Sequence, residues 1–182
     1  MENSWNIVSS NSKTYDSDEF LRVKPECKLK IRLLGHPAKV VRVFSNDKKC
    51  VVIDNEHIGQ QLKQKYPHII GNLSVRYACW CIDRNSNTMK ILDMPRSVAR
   101  AFGSRAQVIN KEISGIEEGC DWVVGTNGRT GKDVMYNVAY LGETPLTHIE
   151  RKMVKEKMAD KDSYDLTKVF KSCSLEEAEE RL

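Results

Sequence analysis

Arg76, Trp80 and Arg84 stand four residues apart in the run Arg76-Tyr77-Ala78-Cys79-Trp80-Cys81-Ile82-Asp83-Arg84. On an extended strand that spacing puts one large ring and two guanidinium groups on the same face, with Tyr77 opposite. Rings interleaved with cations suit unpaired nucleic-acid bases, because stacking does not depend on base identity and the cations take the phosphates. A second source of charge is Lys28, Lys30 and Arg32, which alternate with Leu29, Ile31 and Leu33. One face of that strand must enter a core, and the other shows three cations with no acidic neighbour to pair with. Single-stranded nucleic acid is the ligand these residues fit, although Trp80 beneath a helix, or Tyr136 and Tyr140 as fillers of a sheet, would be ordinary core packing.

Other groupings lead to less. Gly125-Thr126-Asn127-Gly128-Arg129-Thr130-Gly131-Lys132 resembles a phosphate-binding loop, but the spacing fails by one residue and Asp133 stands where a magnesium-binding hydroxyl belongs. A glycine hairpin presenting Arg129 and Lys132 to phosphates is the better use of those residues. Cys79 and Cys81 share a strand face, yet Cys50, His57, His68 and Cys120 supply no further ligand pair at zinc spacing, so no metal or other cofactor is expected. His36, His57, His68 and His148 are isolated, no nucleophile elbow is present, and the carboxylates form no two-metal cluster, so the chain reads as no enzyme.

The elements that must hold these residues follow from patterning. Residues 28–33 and 38–44 read as strand segments broken at Gly35-His36-Pro37, and Cys50–Ile53 as a short strand. Ile58, Leu62 and Tyr66 mark an amphipathic helix over 56–66 that stops at Pro67. A strand over 76–84 turns at Asn85-Ser86-Asn87 into Met89–Leu92, and Pro95 then opens a helix with Val98 and Phe102 on one stripe and Arg96 and Arg100 on another. Strands over 120–126 and 134–141 flank the glycine hairpin. A last helix over 148–158 carries Ile149, Met153 and Val154 on its expected buried face.

The fold class expected is mainly β: an oligonucleotide-binding (OB) fold, a five- to six-stranded antiparallel Greek-key barrel with two or three peripheral helices. Residues 1–24 read as a flexible N-terminal arm, 25–158 as the domain, and 159–182 as a linker with an acidic C-terminal tail. Of the 182 residues, 40% are hydrophobic and 30% charged, which supports one packed core. The net charge of +4 hides an asymmetry: residues 1–20 and 175–182 each carry −3, leaving +10 between them. That basic body fits a polyanion ligand. No 18-residue apolar run and no basic leader followed by an apolar stretch are present, so neither a membrane span nor a secretory signal is expected, and the six cysteines read as reduced thiols.

Arg76-Tyr77 with Ile82-Asp83-Arg84, the passage Met89-Lys90-Ile91-Leu92-Asp93-Met94-Pro95, Glu118-Gly119-Cys120-Asp121-Trp122 and the exit Glu143-Thr144-Pro145-Leu146-Thr147 together resemble the bacteriophage single-stranded-DNA-binding proteins, the helix-destabilising class, over about residues 28–150. The resemblance implies an OB core and cooperative, sequence-tolerant binding of single-stranded DNA in phage replication, recombination and repair. It places the chain in the cytoplasm of an infected host. It also implies an acidic C-terminal segment for partners such as a polymerase, helicase or recombinase. The best-known member holds zinc in an insertion, whereas the corresponding stretch here, about 50–72, has only Cys50, His57 and His68. The binding set expected is Lys28, Lys30, Arg32, Arg42, Arg76, Tyr77, Trp80, Arg84, Lys90, Arg96, Arg100, Arg129, Lys132 and Tyr136. An RNA-binding or transcription accessory protein, or a protein-binding adaptor of a replication machinery, would use similar surfaces.

Overall fold

A computed structural model describes residues 17–23, 28–47, 49–129 and 133–182. Its spine is β2 (Lys28–Ser45), an 18-residue strand that pairs antiparallel with β4 (Ile70–Asp83) along most of its length. The expected break at Gly35-His36-Pro37 is instead a bulge inside this continuous strand: pairing is regular up to Leu34, resumes at Ala38, and Gly35 takes φ of 68° between them. Two extra residues on β2 bend the strand without ending it, and the inward and outward alternation is the same on both sides of the bend. Beyond the bend β2 also pairs with β3 (Cys50–Ile53), and before it with β6 (Cys120–Thr126).

The remaining pairs are β4 with β5 (Thr88–Pro95), and β6 with β7 (Tyr136–Glu143). The sheet curls into a half-barrel with the order β1-β5-β4-β2-β6-β7, and β3 attached to β2. It is not purely antiparallel, because β1 (Phe20–Leu21) runs parallel to β5. Part of the expected N-terminal arm is therefore built into the sheet: Ser17–Glu19 form one 3-10 turn and Leu21 is buried. Residues 1–16 and 24 of that arm lie outside the described residues.

The inner face of the curl holds Leu29, Ile31, Cys79, Leu92 and Trp122 under α2 (Arg96–Ile109), which inserts Val98 and Phe102. Each such side chain contributes about 1.5–3 kcal/mol by leaving water, enough to carry the helix past Gly103. On the same face, the far half of β2 packs Val41 and Val43 with Ile53 beneath α1 (Glu56–Lys65), whose Leu62 is buried.

The outer face is covered by the C-terminal part of the chain. Helices α3 (His148–Ala159), α4 (Lys161–Tyr164) and α5 (Leu166–Phe170) lay Val154, Leu166 and Val169 over Leu34, Ala78, Trp80, Ile82 and Ile91. On α3 the buried positions are Glu150 and Val154, while Ile149 faces solvent, because the capping box that starts the helix at Thr147 turns Glu150 inward. The chain then crosses the β3 edge, where Cys173 bridges to Ile53, and ends in α6 (Leu175–Arg181) beside α1. Residues 159–182 thus form three helices joined to the core. Leu175 and Ala178 supply the apolar stripe, and Ser174 with Glu177 the capping box. No helix among the described residues is long and apolar enough to cross a membrane.

Candidate nucleic-acid interface

Most of the arginines expected on a binding surface are built into the molecule. Arg32 is fully buried: its Nε donates to the Thr144 carbonyl at 3.1 Å, its Nη1 to Leu33 O at 3.0 Å and its Nη2 to Gly115 O at 2.7 Å. A Cβ at Gly119 would overlap this guanidinium, so that glycine is what admits it. Burial lowers the Arg32 pKa from its ordinary value, and the nearby Asp121 carboxylate opposes the shift. Arg42 and Arg76 share Asp93, whose oxygens accept from Arg42 Nη1 at 3.1 Å and Arg76 Nε at 2.7 Å. Arg84 is clamped between Asp121, at 3.0 Å from Nη2, and Glu150 of α3. Carboxylates 17 to 66 residues away in the chain pair with Arg42, Arg76 and Arg84, and backbone carbonyls hold the buried Arg32, so Arg32, Arg42 and Arg84 are not open to a ligand and Arg76 is largely occupied.

Trp80 also belongs to the core, with 3% of its surface exposed. Its ring stacks on Tyr164 at 5.9 Å between centroids and 5° between planes, and its Nε1 donates to the Tyr164 carbonyl at 2.7 Å. Lys157 lies 5.1 Å over the same ring. A shallow cavity of about 390 Å³ beside it is lined by Glu19, Met89, Met153, Glu156, Lys157 and Asp160. Three carboxylates against one ammonium make it a poor phosphate site.

Part of what remains open lies on the inner face. Lys39 and Tyr77 are cross-strand partners there, between the apolar footprint of α1 and that of α2. Lys39 lies on this side because it shares the alternation of Leu29, Ile31 and Leu33 before the bulge and of Val41 and Val43 after it. Tyr77 is half-buried against the α2 core, and Lys39 is exposed. On one flank stand exposed Arg96 and Arg100, one turn apart on α2. On the other is Lys63, two turns along α1 from Glu56. Glu56 ion-pairs with Lys39 and is held below the usual carboxylate pKa, first by its hydrogen bond to Lys39, then by that ammonium's charge, and to a smaller extent by Arg96. Lys63, Arg96 and Arg100 form no salt bridge among the described residues. A ring with cations on both sides is therefore assembled from β2, β4, α1 and α2.

Of the expected set, Tyr77 and Arg96 lie near one another through the Tyr77–Met94 pairing, and Arg100 stands one turn further along α2. Lys39 and Lys63 were not in the expected set; the alternation of Leu29, Ile31 and Leu33 carried forward was the available signal for the face of Lys39. The other expected residues are elsewhere. Lys28 and Lys30 are exposed at the opposite end of β2 on the outer side, and Arg129 is exposed in the β6–β7 hairpin. Lys90 and Tyr136 are half-buried, Tyr136 against the inner core, and Lys132 lies outside the described residues.

Among the described residues no group of three or more Cys, His, Asp or Glu side chains is placed to hold an ion. Burial pushes the Cys79 thiol up to about 12 and Cys81 well above its usual value, the reverse of what a thiolate ligand needs. No protein-family model matches this chain, and no curated protein matches it.

Proposed function

We propose that this protein binds single-stranded DNA, without catalysis, in the inner groove between α1 and α2. The observation that carries the reading is the half-buried Tyr77 ring with Lys39 beside it and Arg96, Arg100 and Lys63 on its flanks. Such a ring is a stacking platform for one base, and the cations track the backbone on either side. The strand order supports an OB reading of the half-barrel. Omitting β1 and β3, neighbours run β5-β4-β2-β6-β7, the longest strand pairs on both sides, and the helix lies between the third and fourth strands of that set. The setting we propose, from the resemblance, is protection of DNA strands exposed in phage replication, recombination and repair.

Binding to oligo-dT, oligo-rU and duplex of equal length, titrated with salt, tests this. Single strands should be preferred, with a log-log salt slope of about −3 if all four cations take phosphates. The dT-to-rU ratio decides between a DNA and an RNA binder. Equal or tighter duplex binding, or a slope near zero, would reject the groove.

A further inference from the structure

The groove already contains an anion. Glu56 opens α1 directly after its cap Asn55, and its carboxylate reaches Lys39 across the groove while remaining within electrostatic range of Arg96. Lys39 and Arg96 border Tyr77 on β2 and α2, and both are exposed. A carboxylate paired with one exposed cation, with a second within electrostatic range and a half-buried ring beside the first, competes for the cation that a backbone phosphate would need.

We propose that Glu56 is an internal stand-in for phosphate. It holds the Lys39–Arg96 seat in the free protein and is displaced when a nucleic-acid strand enters. The inference rests on the groove reading above. Both the internal pair and the phosphate contact weaken as salt rises. Competition between them therefore lowers affinity most at low salt and flattens the salt dependence of the native protein.

The test is anisotropy of labelled oligo-dT with Glu56→Gln. Binding should tighten roughly two- to fivefold at low salt, the range set by a surface ion pair, and the salt slope should steepen. Glu156→Gln removes the same charge from α3 on the outer face and should change neither quantity. In a Lys39→Ala/Arg96→Ala background the Glu56→Gln gain should vanish, with circular dichroism and melting confirming that each variant is folded. A gain that persists undiminished in that background, or is matched by Glu156→Gln, would mean simple charge repulsion and overturn the stand-in. If Tyr77→Ala and Lys39→Ala/Arg96→Ala both bind like the native protein, the groove itself is wrong. If they weaken binding while Glu56→Gln tightens nothing, only the stand-in fails.

Discussion

The two faces of the curled sheet use the same residue types to opposite ends. On the outer face, Arg42, Arg76 and Arg84 meet Asp93, Asp121 and Glu150, and Trp80 is stacked by Tyr164. On the inner face, Tyr77 is half-buried and Arg96, Arg100 and Lys63 make no salt bridge among the described residues. Charge and aromatic content do not separate these regions; what separates them is whether a carboxylate from elsewhere in the chain arrives at the cation and whether a helix covers the ring. Cations with buried partners hold elements together, and cations facing water are available to a ligand.

Variants should separate the faces sharply. Asp93→Ala strands the buried Arg42 beside Arg76, and about 3–5 kcal/mol of stability should be lost in urea unfolding. Trp80→Ala empties the space beneath Tyr164 and should cost a similar ~3–5 kcal/mol, with affinity of the folded protein for oligo-dT unchanged. A Trp80 variant that melts normally but binds poorly would reverse the assignment of the faces. Removing residues 175–182 uncovers the cluster around Ile53 and Leu62. Thermal melting should report a loss of about 1–3 kcal/mol, whereas a free acidic tail would leave the melt unchanged.

Effects on binding come next in size. Tyr77→Ala should weaken oligo-dT binding about tenfold, the value of one stacked base. Arg100→Ala should reduce the magnitude of the salt slope by about 0.7. Smallest of all, Lys28→Ala with Lys30→Ala should shift affinity by less than about twofold, because a surface contact off the main path adds little. A large loss there would extend the binding path round the sheet edge to the outer side.

The comparison also explains what patterning could reveal. Strand and helix positions around α1, α2, β5 and β6 followed from apolar spacing and from Pro95 and Pro67. Alternation correctly set Trp80 and Arg84 on one face and Tyr77 on the other. It carries no information about which face another part of the chain will cover. Asp93 lies 51 residues from Arg42, and Tyr164 lies 84 from Trp80, beyond any local window. The C-terminal helices were obscured by their charge, since four glutamates in α6 outweigh the spaced Leu175, Ala178 and Leu182; Ser174-x-x-Glu177 was the legible sign of a helix start. At Gly35-His36-Pro37 a bend reads locally like a break, although the odd-numbered alternation of Leu29, Ile31 and Leu33 carries through to Lys39, Val41 and Val43.

The strap that carries residues 171–174 past the β3 edge imposes an order on biosynthesis. Trp80, Ile82 and Ile91 are covered by side chains as late as Leu166 and Val169. During translation at about 5–20 residues per second, the outer sheet surface stays incompletely covered for roughly 4–17 seconds after β4 has left the peptidyl-transfer step. Only when the strap has passed β3 can α6 close beside α1. A nascent chain stalled before residue 166 would present to chaperones and to other nascent chains the apolar sheet surface that Leu166 and Val169 later cover, while all the strands and helices that border its inner groove have already been made.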